Sequence, residues 1–174
     1  MTTTRAVLIT GPLASGKTTV SICAGDVLDS ANVANAVIDL DWLCWAGPSL
    51  SRGHLSDLMC ANLAAVRQRY SQAGIHTLVL CRAVMSHSEI NDIRTAVGGH
   101  LVAFRLSVPV DVLTERLHAR GNRADLVEAA AIDAAQASQQ VRHIPAVKNH
   151  GRDAEHTAIE VLTRIGWLSA PALD

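Results

Sequence analysis

Gly11, Gly16, Lys17 and Thr18 stand in the run GPLASGKT, two glycines four residues apart followed at once by a lysine and a hydroxyl. Glycines at this spacing let successive backbone N–H groups turn inward around an anion. The lysine ammonium reaches its outer oxygens, and the threonine hydroxyl is a hard ligand for Mg²⁺. The chemistry served is the binding of a nucleotide phosphate chain, with Gly11, Pro12, Leu13, Ala14, Ser15, Gly16, Lys17, Thr18 and Thr19 as the cradle. The residues before it, RAVLIT, read as a strand, and those after it follow a helical pattern. This is the context the motif needs, because the helix points its positive N-terminus at the same anion. A structural glycine turn is the competing reading.

A second constellation is VIDLDWLCW, in which Asp39 and Asp41 are separated by one residue. If both stay extended they point to the same side of a sheet. One carboxylate could take a proton from an acceptor hydroxyl or orient Mg²⁺ through water, and the other could hold the acceptor. Two solvated acids at a strand end are the alternative. Trp42 and Trp45 follow, either as a flat wall for a ring or as closure of a core. Arg52 and Arg82 are candidates for an anionic group on the acceptor, with Arg82 better placed at the end of a strand.

The elements that must carry these residues alternate. Strands are predicted over 5–10, 36–40, 76–81, 101–107 and, weakly, 143–148, and helices over 17–30, 55–73, 87–97, 109–119, 124–142 and 153–166. Nearly continuous apolar character in the strands implies a parallel sheet covered on both faces. In such a sheet ligands sit beyond the carboxyl ends of the strands, which brings the two acids beside the glycine loop. Ser86 or Ser88 is expected to cap the third helix, and Gly98 and Gly99 to end it.

Composition restricts the rest. A chain of 174 residues with 49% hydrophobic content suits one domain. Fifteen Lys plus Arg against sixteen Asp plus Glu leave no polyanion-binding surplus, so no nucleic-acid partner is expected. No apolar run reaches the roughly 18 residues of a membrane span, and the first residues do not read as a secretory signal. Cys23, Cys44, Cys60 and Cys81 lack metal spacing and read as buried thiols of a reducing compartment, so a cytoplasmic protein with no membrane partner is expected. The eight histidines have no zinc-ligand spacing. The guanine signature N-K-x-D is absent, and the third strand ends in Cys81 and Arg82 where a water-activating ATPase needs an acid.

GPLASGKT and DLD together resemble the small-molecule kinase branch of the P-loop phosphotransferases, which includes shikimate, gluconate, adenylylsulfate and nucleoside monophosphate kinases and chloramphenicol phosphotransferase. The segment ERLHARGNR is similar to the arginine-bearing lid of these enzymes, and its RGNR to the RGDR of the chloramphenicol group. The resemblance covers most of the chain. It implies an α/β three-layer fold, a five-stranded parallel sheet of order 2-3-1-4-5 with helices on both faces, one domain over 1–174 and a lid around 117–126. It implies ATP and Mg²⁺ as cofactors, a small-molecule phosphate acceptor, and a monomer or homodimer. Lys17, Asp39 and Arg123 take the catalytic roles, with Thr18 and Asp39 on the metal. Arg116, Arg120 and Gly151 join the nucleotide loop in cofactor binding and Asp41 binds the acceptor, with Trp42, Trp45, Arg52 and Arg82 as the acceptor candidates read from the residues themselves. The alternatives are a nucleoside or nucleotide kinase, and an ATP-binding regulator or zeta-type toxin.

Overall fold

The computed structural model describes residues 3–46, 51–119 and 141–168. Five strands, β1 (Arg5–Thr10), β2 (Asn35–Asp39), β3 (Thr77–Cys81), β4 (His100–Ser107) and β5 (Ala146–Lys148), form one parallel sheet in the order β2-β3-β1-β4-β5. The helices described are α1 (Lys17–Ser30), α2 (Arg52–Gln72), α3 (His87–Val97), α4 (Val110–Ala119) and α5 (Ala154–Arg164). A parallel sheet buried on both faces, as the strand composition implies, is what the packing produces.

Alternation along each strand divides the core. Ala6, Leu8, Leu78 and Leu80 face α2 and α3, meeting Met59, Leu63, Ile90 and Ile93. Val7, Ile9, Val79 and Leu106 face the opposite way and meet Val20, Ala24 and Leu28 of α1 and Val161 and Leu162 of α5. Leu8, Ile9, Leu78 and Leu80 are wholly buried, and each contributes about 1.5 to 3 kcal/mol through transfer out of water. A third cluster packs Leu113 and Leu117 of α4 against Ala14 of the glycine loop, so the loop rests on the apolar face of a helix.

Element ends follow local chemistry. Ser86, not Ser88, caps α3 by accepting from the Glu89 N–H at 3.2 Å, and Gly98 closes it at φ 60°. Ser51 caps α2, which begins three residues before the predicted start. The last strand is shorter than 143–148: Ile144 donates into a turn at Val141, and Pro145 has no N–H to give a ladder. Residues 141 and 142 lie in that turn and not in a helix; the remainder of the predicted 124–142 helix lies outside the described residues. The cysteines also differ from expectation. All four are free, but Cys81 alone is buried, and Cys23, Cys44 and Cys60 are half-buried because each lies on an element with one face toward water. Among the described residues no helix is long and apolar enough to cross a membrane.

Candidate active site

β1 ends at Thr10, and the chain enters the glycine loop at the carboxyl edge of the sheet. The loop needs unusual backbone. Gly16 stands at φ 93°, and a Cβ there would come within 2.7 Å of the Asn149 amide nitrogen, so both conformation and space require glycine. Ala14 is held at φ 61°, a left-handed strain of order 1 kcal/mol in a residue with a side chain, located where the loop must curl. Pro12 accepts from the Ser15 N–H at 3.1 Å and closes the curl. The Lys17 Nζ donates to the carbonyls of Gly11 and Pro12 at 3.1 and 3.0 Å, which carries the ammonium across the loop. The Ser15 hydroxyl is buried with no hydrogen-bond partner, a polar atom aimed at nothing the protein provides.

Two side chains, the half-buried Arg116 and the buried Asn149, brace this loop from behind. Arg116 of α4 donates through Nη1 to the Ala14 and Ser15 carbonyls, both at 3.3 Å, and through Nη2 to the Asn149 carbonyl at 2.9 Å. Asn149, 4% exposed, donates its amide to the Ser15 carbonyl at 2.6 Å and accepts from Thr157 of α5 at 2.8 Å. The resemblance assigns Arg116 to the nucleotide, whereas its guanidinium is occupied by loop carbonyls. Asn149 and Thr157 belong to no motif, so nothing local in the sequence marks them. Leu13 is half-buried against Ala14, and Thr19 lines a cavity of about 330 Å³ together with Gly16, Arg116, Asn149 and Arg152. Gly151, just after β5, turns at φ 66°, and a Cβ there would meet nothing within 4 Å.

On the other side of the loop, β2 delivers its acid. The Thr18 hydroxyl donates to Asp39 Oδ2 at 3.0 Å, and Asp39 Oδ1 accepts from the Asp41 N–H at 3.1 Å. This second bond ends the strand. Leu40–Cys44 turn into a 3₁₀ helix with Asp39 as its N-cap, so Asp41 is not extended and the two carboxylates do not share a strand face. Thr18 Oγ1 and Asp39 Oδ2 are hard oxygen donors on partly exposed residues, a set that fits Mg²⁺, which takes one or two protein oxygens and fills the rest with phosphate and water. Among the described residues no cluster of three or more His, Cys, Asp or Glu side chains could hold a metal by itself. Cys81, at the end of β3, is opposite Asp39 in the sheet. Burial first, and the Asp39 charge second, push its thiol up to about 12.

Asp41 instead meets Arg82, Oδ1 to Nη1 at 2.8 Å, and Glu89 of α3 takes the Arg82 Nε at 3.1 Å. Burial raises the Asp41 carboxyl above its ordinary range despite Arg82 beside it. For Arg82 burial acts to lower the value, but Cys44, Asp41 and Glu89 outweigh it and the guanidinium is raised. Glu89 also accepts from the Met85 N–H at 2.9 Å, and Val84 donates to the Thr10 hydroxyl at 3.0 Å, which ties the β3 to α3 connection to the end of β1. Beside this network is a cavity of about 560 Å³ whose walls include Arg52, Ser56, Arg82, Met85 and Asp92.

Trp42 and Trp45 do not close a core. They are 69% and 77% exposed and stacked on each other, with ring centroids 5.0 Å apart. Arg120 and Arg123, and with them most of the predicted lid, lie outside the described residues.

No family profile and no curated sequence matches the chain. Solved structures do. A tunicamycin resistance protein from Deinococcus radiodurans superposes with a TM-score of 0.72 at 18% identity, over 97% of this chain and 99% of that one. The chain carries the P-loop small-molecule kinase fold. A shikimate kinase from Acinetobacter baumannii, in complex with shikimate, superposes at 0.67 with 14% identity, covering 94% of each chain. The APS kinase of Mycobacterium tuberculosis in complex with AMPPNP and APS gives 0.66 at 18% identity, over 95% of this chain and 99% of that one. The strand order inferred from the resemblance is therefore the observed one.

Proposed function

We propose that this protein is an ATP-dependent phosphotransferase that moves the γ-phosphoryl group of Mg·ATP to a small metabolite, with a hydroxyl as the acceptor group. The observation that carries this reading is the contact of the Thr18 hydroxyl with Asp39, which joins the nucleotide loop to an acid on a neighbouring strand end, with an open cavity on the far side of that acid's turn. Similar folds serve kinases whose structures hold shikimate, or APS with AMPPNP.

In this reading the backbone N–H groups of residues 11 to 18 and the Lys17 ammonium hold the phosphate chain, and Thr18 with Asp39 would hold Mg²⁺, which neutralises phosphate charge when bound. Asp39 then faces the acceptor hydroxyl. The bond from acceptor oxygen to γ-phosphorus forms as the bond from that phosphorus to the bridging oxygen breaks; ADP leaves with the electron pair, and the hydroxyl proton passes to the Asp39 carboxylate. We assign the nucleoside end of ATP to the cavity lined by Gly16, Thr19 and Arg152, and Arg120 and Arg123 to the transferring phosphate. Arg123→Ala is expected to lower kcat more than it raises the KM for ATP.

The exposed Trp42–Trp45 stack favours a second, narrower version in which the acceptor carries a ring, as in a nucleoside kinase. ADP release measured across a panel of metabolites tests the assignment. Acceptor-dependent release with at least one hydroxylated compound is expected. Release that depends on water alone would make the protein an ATPase.

A further inference from the structure

Arg82, just after β3, lines the cavity assigned to the acceptor, and its hydrogen bonds decide what it can recognise. A guanidinium grips a carboxylate or phosphate by presenting two N–H groups along one edge, either Nε with Nη2 or Nη1 with Nη2. Glu89 occupies Nε at 3.1 Å, and Asp41 occupies Nη1 at 2.8 Å, with the Cys44 sulfur also near Nη1 at 3.4 Å. Nη1 carries two hydrogens, and Asp41 and Cys44 together take both, so each edge has lost one of its two donors. Arg82 and Glu89 side chains are 15% and 17% exposed, so displacing the glutamate to free an edge would strand a largely buried carboxylate.

The remaining charges point the same way. Among the described residues, Arg52 and Arg82 line the cavity together with Glu89 and Asp92, and Asp41 backs Arg82 from outside it. Two guanidinium groups thus stand against three carboxylates. Arg52 is exposed on the first turn of α2, so its charge is screened by water and by the acids across the cavity. Asp92 is exposed and has no hydrogen-bond or ion-pair partner among the described residues; with Ser56 and Ser88 it offers acceptors and hydroxyls suited to polar, uncharged groups. An incoming anion would meet repulsion from Asp92 and find neither edge of Arg82 intact, with only the solvent-screened Arg52 left to receive it, whereas hydroxyl groups would find several partners.

We propose that the acceptor is an uncharged polyhydroxylated compound, a sugar or nucleoside, and that the Asp41–Arg82–Glu89 chain excludes carboxylated and phosphorylated acceptors from the cavity. This rests on the phosphotransferase reading for the cavity's role as acceptor site. The chain of ion pairs is then a specificity device, since a site discriminates as much by what it repels as by what it attracts.

Pairs in which one member carries an added phosphate or carboxylate give the test: uridine against UMP, glucose against glucose 6-phosphate, and glucose against gluconate. Each is titrated into the full chain saturated with Mg·AMPPNP, following amide chemical shifts of residues 83 to 92. The neutral member of at least one pair is expected to bind about tenfold or more tightly than its anionic partner. Glu89→Gln keeps an oxygen for the Met85 N–H but removes the charge that holds Arg82, and it should reduce that preference about tenfold. An anionic member binding as well as or better than its neutral partner, or no neutral compound shifting these amides, overturns the proposal. Stabilisation by Mg·ATP and ADP release, recorded on the same protein, report separately on the kinase reading, so failure of the acceptor class and failure of the kinase assignment leave different signatures.

Discussion

The Thr18 hydroxyl donates to Asp39 Oδ2 at 3.0 Å across 21 residues of chain. The bond links the first turn of α1 to the end of β2 and leaves the second Asp39 oxygen engaged with the Asp41 N–H. In the proposed reading, a charge removed at Asp39 acts on metal, acceptor proton and turn together. Asp39→Asn is expected to lower kcat by about 10²-fold or more with little change in ATP affinity, because a positioned base or metal organiser acts mainly in the transition state. Steady-state kinetics with ATP and acceptor varied separately check it; an unchanged kcat would make the acid structural.

Lys17→Ala should abolish the response to nucleotide without unfolding the chain, since the ammonium donates to the Gly11 and Pro12 carbonyls of its own loop. At a hundredfold excess over Kd, Mg·ATP is expected to raise the wild-type Tm by roughly 5 to 10 °C. The variant should keep its unliganded Tm and lose most of that rise. Differential scanning fluorimetry reads both values.

Asn149 is a positioning residue, and its effect should appear in KM. Removing its amide leaves the Ser15 carbonyl and the Thr157 hydroxyl short of a buried partner, at a cost of about 1 to 3 kcal/mol. Asn149→Ala is expected to lower Tm and raise the KM for ATP severalfold while kcat changes little, as the loop loses its rear brace. Gly16→Ala should do the same more severely through φ and the 2.7 Å approach to Asn149.

Trp42 and Trp45 make the opposite prediction. Exposed side chains of this kind change stability by no more than about 0.5 kcal/mol when truncated. Trp42→Ala and Trp45→Ala should therefore leave Tm in place while raising the KM for the acceptor and leaving that for ATP unchanged. A large fall in Tm with unchanged kinetics would return the pair to a packing role.

Cys81 sets an alkaline limit. Its thiol is pushed up to about 12 in the folded chain, above the ordinary value near 9, so the folded state holds its proton where the unfolded chain has released one. Fewer protons bound in the unfolded state mean that stability falls as pH rises, and the window is pH 9 to 12. Urea unfolding midpoints measured across that range should decline for the wild type and decline less for Cys81→Ala. At pH 8 the same burial should keep Cys81 unreactive toward iodoacetamide in the native state.

Much of this architecture is written in short stretches of the chain. RAVLIT and TLVLC are apolar apart from Arg5, Thr10 and Thr77 and are buried on both faces beyond Arg5, so a covered parallel sheet follows from them directly. GPLASGKT sets its own curl, since glycines at fixed positions and a helix behind them are local, although Arg116 and Asn149 brace it from distant elements. Asp39 is legible for the same reason, as an acid at a strand end. Asp41 is not: alternation holds only while the strand lasts, and the Asp39 carboxylate ends it by taking the Asp41 N–H. The partners of the arginines are out of reach of any local pattern. Arg82 meets Asp41 across 41 residues, and Arg116 meets Ala14 across 102. Those meetings exist because the crossovers set β3 between β2 and β1, and because α4 packs Leu113 and Leu117 under the loop. Periodicity and motif encode what a residue does with its near neighbours, while the hydrogen-bond partner of a long charged side chain is chosen by the packing of elements far apart in the chain.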